Sequence, residues 1–134
     1  MSVYVLDANI VSYYLKGNSA VVGNIDNALA AGDDLIIAPI AYYEVRRGLL
    51  AIGSKRRMDE FSRFCNMLAV GRLDNSILDT AADIYDELRK AGRLTDDADI
   101  FIAAFCRYHG FKLVTNNIKH FNSISGLDVI DWAV

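Results

Sequence analysis

Five polar residues stand where the hydrophobic pattern of this chain breaks. Asp7 ends the apolar run Val3 to Leu6, and Glu44 follows the run LIIAPI by four residues. Asp99 precedes IFIAAFC, a segment apolar on every helical face, and Asn116 and Asn117 directly follow KLVT. Each acid has an ordinary explanation. Asp7 would cap a helix beginning near Asn9. Glu44 would pair with Arg47 one turn on, a surface interaction of roughly 0.5 kcal/mol or less. Asp96, Asp97 and Asp99 would answer the positive end of a helix dipole, with Thr95 or Asp96 as the cap. That account suffices for Asp96 and Asp97. It suffices less for Asp99, because a carboxylate entering a buried helix is costly unless a cation or strong donors meet it.

If the three acids share one site, they raise one another's pKa unless a multivalent cation compensates. Oxygen-only ligation selects hard cations, so Mg²⁺ or Mn²⁺ is expected and zinc is disfavoured. Carboxylate-held magnesium without a protein nucleophile serves phosphoryl or phosphodiester hydrolysis, in which the protein contributes position and field. His109, just before Gly110 at a helix end, reads as structural. So does His120 beside Phe121, with contact to nucleic acid as its alternative role.

The elements that would gather these residues are legible from periodicity. Runs 3–6, 35–40, 112–115 and 127–130 read as strands, and 68–73 as a weaker one. Helices are expected over 9–17, 20–32, 41–53, 55–68, 76–92 and 96–110. The fifth has the cleanest stripe, with Ile77, Ala81, Ile84, Tyr85 and Leu88 on one side and Gly92 as its stop. Strands that are apolar throughout and alternate with helices imply a three-layer α/β fold around a parallel sheet of four to five strands. Such sheets place ligands outside the carboxyl ends of their strands, near a switch in strand order. Asp7, Glu44, Asp99 and the Asn116–Asn117 pair would all arrive at that rim.

Length and composition agree. At 134 residues, 53% hydrophobic and 23% charged, the chain fits a single domain over residues 1–134. Cys65 and Cys106 have no CxxC spacing and read as reduced residues in apolar helical patterns, which suits a cytoplasmic protein. No secretory leader pattern and no apolar run of about 18 residues occurs, so no membrane association is expected. The net charge of −3 argues against a broad nucleic-acid-binding face. However, Arg46, Arg47, Lys55, Arg56, Arg57 and Arg63 cluster in one stretch, either as a local phosphate-binding patch or as the solvated faces of two helices.

Four segments, VYVLDANI, YEVRRG, DIFIAA and LVTNN, resemble the blocks of a PIN domain in order and spacing. With the closing HFNSISGLDVIDW, the likeness runs over about residues 3 to 132 and is nearest to VapC-type toxins of toxin–antitoxin pairs. The resemblance implies an Mg²⁺- or Mn²⁺-dependent endoribonuclease acting on structured RNA such as tRNA. It also implies inhibition by a cognate VapB-type antitoxin and a homodimeric toxin. Carried over, the family roles make Asp7, Glu44 and Asp99 metal-holding carboxylates. Asn9 would orient Asp7, and the Thr115 hydroxyl would assist the metal shell or its water. Asn117 stands where many relatives carry a fourth acid, and His120 where others carry an alternative one, which puts a second metal in question. Arg46, Arg47, Lys55, Arg56 and Arg57 become contacts for RNA or antitoxin, and Tyr13, Tyr14, Tyr42 and Tyr43 groove-lining aromatics or ordinary helix residues.

Two other readings compete. An α/β phosphatase would use Asp7 as nucleophile but would call for a second Asp where Asn9 stands and lacks a clear downstream Lys. A non-catalytic PIN-like RNA-binding module would have lost one of the three carboxylates, and none is lost.

Overall fold

The computed structural model describes residues 2–134; Met1, the first residue of the expected domain, lies outside the described residues. The elements run β1 (Val3–Leu6), α1 (Ala8–Leu15), α2 (Ser19–Ala30), β2 (Asp34–Ile37), α3 (Pro39–Ile52), α4 (Lys55–Met67) and β3 (Ala69–Val70). They continue with α5 (Asn75–Lys90), α6 (Asp97–His109), β4 (Lys112–Val114), α7 (Ile118–Phe121) and β5 (Asp128–Ile130). The five strands form one parallel sheet in the order β3-β2-β1-β4-β5.

β1 is central because it can be: Val5 and Leu6 are fully buried, and the strand pairs with β2 on one side and β4 on the other. The chain leaves β1 toward β2 and returns to β1's other side as β4, so the switch in strand order falls at the carboxyl end of β1, where Asp7 stands. The helices pack as two groups, α1 to α4 and α5 to α7, joined where α3 meets α6. This is the expected three-layer architecture.

Several boundaries move for identifiable reasons. The second strand stops at Ile37 rather than residue 40, because Pro39 takes the first helical position, where its fixed φ and missing N–H are tolerated. Glu44 therefore lies in the second turn of α3, not the first. The fourth and fifth strands shorten to 112–114 and 128–130. The third shrinks from 68–73 to two residues, and the chain then turns past Gly71, where a Cβ would lie 2.8 Å from the Phe105 ring. Only glycine lets the backbone pass so close.

On α5, Ile77, Ala81, Ile84 and Leu88 are buried as the stripe predicts, but Tyr85 is 44% exposed and lies outside it. Gly92, at φ 67°, closes the helix with its N–H on the Arg89 carbonyl. The short α7 is an element the periodicity did not announce. Cys106 is buried, which pushes its thiol pKa up, and Cys65 is half-buried; both are free. Among the described residues, no helix is long and apolar enough to cross a membrane.

Candidate active site

At the carboxyl rim of the sheet, Asp7, Ala8, Asn9, Glu44, Asp96, Ala98, Asp99, Asn117 and His120 line one open cleft. Its floor is Asp7, only 6% exposed. As the N-cap of α1, Asp7 accepts a bond from the Ala8 N–H at Oδ1 (2.8 Å), while Oδ2 accepts one from the Thr115 hydroxyl (2.8 Å). The expected cap is therefore present, and it coexists with a place in the cleft.

Thr115 is fully buried behind Asp7. Its Oγ1 donates to Asp7, accepts from the Asn117 N–H (3.0 Å) and lies 3.5 Å from the Asn9 amide nitrogen, which donates to it. With its hydrogen committed to Asp7 and Thr115 absent from the cleft wall, the hydroxyl acts on the site by fixing Asp7. Asn9 closes the bracket by accepting the Asn116 N–H at Oδ1 (3.2 Å). Asn116 is held in turn by the Tyr13 hydroxyl (3.2 Å) and by its own amide bond to Asp131 (3.0 Å). A chain of hydrogen bonds thus runs from the C-terminal segment to the carboxylate at the end of β1.

Glu44 and Asp99 reach the cleft from α3 and from the first turn of α6. All three carboxyls have pKa values above the ordinary carboxylate range. Burial is the main cause at each. The charge of Asp7 adds to it at Glu44 and Asp99, Asp99 also raises Glu44, and Asp96 raises Asp99. Opposing influences are weaker: the Thr115 and Ala8 bonds at Asp7, Arg47 at Glu44 and His120 at Asp99. Glu44 and Arg47 form no ion pair; the Arg47 guanidinium lies over the Tyr43 ring, 5.1 Å from its centroid.

The donor set suits a hard divalent cation in kind and in charge: carboxylate oxygens, partly desolvated, repelling one another across a shared space. The side chains stand further apart than a bound ion requires, since among the described residues no group of three or more His, Cys, Asp or Glu is gathered closely enough to hold one.

The basic residues scatter. Lys55 pairs with Asp59 (3.4 Å) and Arg56 with Glu60 (3.2 Å) on the outer face of α4, and Arg46 rests against the Met58 sulfur. Only Arg57 joins a groove that touches the cleft, beside Ser12, Lys16, Glu44 and Gly48. Of the tyrosines, Tyr14 stacks on Phe64, Tyr42 packs against Phe61 and Tyr13 belongs to the Asn116 network, so none of these lines the cleft.

Two lining residues differ from their expected structural roles: Asp96, read as an ordinary dipole-answering acid, and His120, read as packing beside Phe121 with nucleic-acid contact as its alternative. Asp96 occupies the N-cap position of α6 without a side-chain cap bond and turns instead to the cleft; its spacing of three from Asp99 was the available signal. His120 stands with Nδ1 3.2 Å from Asp99 Oδ2, and no periodicity points to it because α7 is a single turn.

Comparison with known proteins accords with this geometry. The PIN domain family model matches residues 4–127. Ribonuclease VapC1 of Haemophilus influenzae (strain R2866) is 27% identical over 136 aligned residues, covering 97% of this chain and 98% of the relative. Ribonuclease VapC1 of Methanocaldococcus jannaschii is 31% identical over 97 residues, covering 71% and 69%. Among solved structures, a chain of VapBC2 from Rickettsia felis, bound to a DNA fragment from their promoter, superposes with a TM-score of 0.86 at 25% identity, covering 97% of this chain and 98% of that one. The chain belongs to the PIN domain family and is of the VapC type.

Proposed function

We propose that this protein is a divalent-metal-dependent endoribonuclease, the toxin of a type II toxin–antitoxin pair, with Asp7, Glu44 and Asp99 as the residues that hold Mg²⁺ or Mn²⁺. The observation that carries the reading is the meeting of three carboxyls from β1, α3 and α6 at one cleft, each with a raised pKa and none in an ion pair with Lys or Arg among the described residues. Relatives over nearly the whole chain are named ribonucleases, and VapBC complexes share its fold, which supports RNA as substrate and a VapB-type antitoxin as partner. A homodimeric, cytoplasmic toxin of one domain, whose substrate is structured RNA such as tRNA, completes the proposal.

When bound, a divalent ion supplies acidity toward water and positive charge against the phosphate oxygens. The protein's own part is positional. Thr115, Asn9 and the Ala8 N–H fix Asp7, so the most buried ligand needs little reorganisation. Asp99 works from the first turn of α6, where the helix dipole eases a carboxylate's charge. Glu44 adds a longer carboxylate, and Asn117 an uncharged amide, to the cleft lining. Arg57 and Lys16, in the groove adjoining Glu44, offer cations to a phosphate backbone.

A phosphatase with Asp7 as nucleophile draws less support, because it calls for a second Asp where Asn9 stands, and Asn9 is committed to bracing Thr115 and Asn116. The test is incubation of the purified protein with tRNA in Mg²⁺ or Mn²⁺, beside Asp7→Asn and Asp99→Asn. Fragmentation that stops with chelator and in both variants is expected. Fragmentation that survives Asp7→Asn and Asp99→Asn contradicts the metal mechanism; a binding module would leave RNA intact, and a trapped phosphoenzyme would indicate the phosphatase.

A further inference from the structure

The cleft contains one side chain whose chemistry differs from all its neighbours. His120 projects from α7, a turn seated by the fully buried Phe121 next to it, and its imidazole lines the cleft beside Asp99. Nδ1 stands 3.2 Å from Asp99 Oδ2. Adjacent ligands of an octahedral ion with bonds of about 2.1 Å lie about 3 Å apart, so the two atoms already have the separation of neighbours on one coordination shell. Asp7 and His120 line the same cleft. Among the described residues no hydrogen bond engages either imidazole nitrogen with another partner.

We propose that His120 is a ligand of the metal held at this cleft, contributing a nitrogen beside Asp99, and that it biases the site toward divalent transition ions over magnesium. The inference rests on the metal-dependent reading above. Its basis is ligand chemistry. Magnesium prefers oxygen and gains little from imidazole, whereas transition ions accept carboxylate and imidazole together. An all-oxygen cleft would treat Mg²⁺ and Mn²⁺ more alike than a cleft with one nitrogen. The alternative role for His120 is a contact with Asp99 that gives way when the ion arrives, and that role leaves no nitrogen in the coordination shell.

Pulsed electron paramagnetic resonance on the full-length protein loaded with Mn²⁺ separates the two. Nitrogen-14 modulation from a directly coordinated imidazole is expected in the wild type and absent in His120→Gln. Calorimetric titration should show Mn²⁺ affinity falling roughly tenfold or more in His120→Gln, as loss of a metal-site residue commonly does, while Mg²⁺ affinity falls less. Mn²⁺ bound without nitrogen coupling, or a Mn²⁺/Mg²⁺ affinity ratio unchanged by His120→Gln, overturns the ligand role and leaves the carboxylate site standing. A wild type that binds no Mn²⁺ overturns both this inference and the metal-dependent reading beneath it.

Discussion

The acids of α5 and the acids of the cleft are the same residue types in opposite circumstances. On α5, Asp86 meets Arg89 at 2.6 Å and Lys90 at 2.9 Å, three and four residues along its own helix, and those bonds hold its carboxyl below the ordinary range. Glu87 meets Arg107 of α6 at 2.9 Å. In the cleft, Asp7, Glu44 and Asp99 come from three separate elements, lie deeper, face one another and stand above the ordinary range. Local sequence supplied the cations of Asp86, and the neighbouring α6 that of Glu87. Topology assembled the second set without a Lys or Arg ion pair among the described residues: Arg46 and Arg47, the guanidinium groups next to Glu44 along the chain, rest on the Met58 sulfur and on the Tyr43 ring instead. Charge placed where it repels costs folding free energy, so the cleft is held together by the fold, and the proposed cation would relieve that cost; the α5 acids already have their partners.

The largest consequence of that difference is for activity. Asp7→Asn or Asp99→Asn should lower RNA cleavage by more than about 100-fold, beyond what loss of an outer-shell partner costs a metal site, while metal-free Asp99→Asn melts no lower than the wild type because a repelling charge is gone. Activity assays paired with thermal melts check both halves.

The next effect is on pH. A carboxyl whose folded pKa exceeds its unfolded value destabilises the fold at all pH above both, and the penalty disappears as pH falls through the folded value toward the unfolded one. For Asp7, Asp99 and Glu44, with ordinary values of 3.8, 3.8 and 4.5 raised in the fold, the metal-free protein should gain stability from the cleft as pH is lowered through the range just above those values. At neutral pH, saturating Mn²⁺ should raise the melting temperature instead, and Asp7→Asn should lose that rise. Denaturant titrations at several pH values measure the first effect and thermal melts the second.

A smaller effect is expected behind the cleft. Thr115→Val keeps the volume but removes the donor to Asp7 Oδ2 and the acceptor for the Asn117 N–H. Leaving such buried groups unmatched costs about 1–3 kcal/mol, and metal affinity should fall about 10- to 100-fold. Thr115→Ser, which keeps the hydroxyl, should restore most of the affinity. The smallest belongs to the α5 pairs: Asp86→Asn should leave cleavage and melting temperature unchanged within error, because both partners are exposed and screened by water.

Much of this arrangement was legible in the sequence. The apolar strands, the helical stripes and the rule that parallel sheets gather ligand sites at their carboxyl rim brought Asp7, Glu44, Asp99 and Asn117 to one place without any distance being known. What stayed hidden depended on tertiary placement. Thr115 as a brace for Asp7 requires knowing that β4 lies beside β1. Asp96 is indistinguishable in sequence from an ordinary dipole-answering acid until its side chain is seen to leave the cap. His120 sits on one turn of helix, too short for any period to register. The basic stretch misled in the opposite sense: its clustering along the chain suggested one track, yet α4 turns Lys55 and Arg56 to acids one turn on and leaves Arg57 in the groove beside Glu44.

On the proposed reading, the three cleft carboxyls hold a divalent ion. Calorimetric titration of Mn²⁺ into the wild type, Asp7→Asn and Asp99→Asn, repeated from neutral pH downward toward the range in which the raised carboxyls take up protons, tests it directly when run in buffers of different ionisation enthalpy. Saturable binding that releases protons is expected in the wild type and should be lost or greatly weakened in both variants. Absence of binding, or binding unchanged by Asp7→Asn and Asp99→Asn, would contradict it.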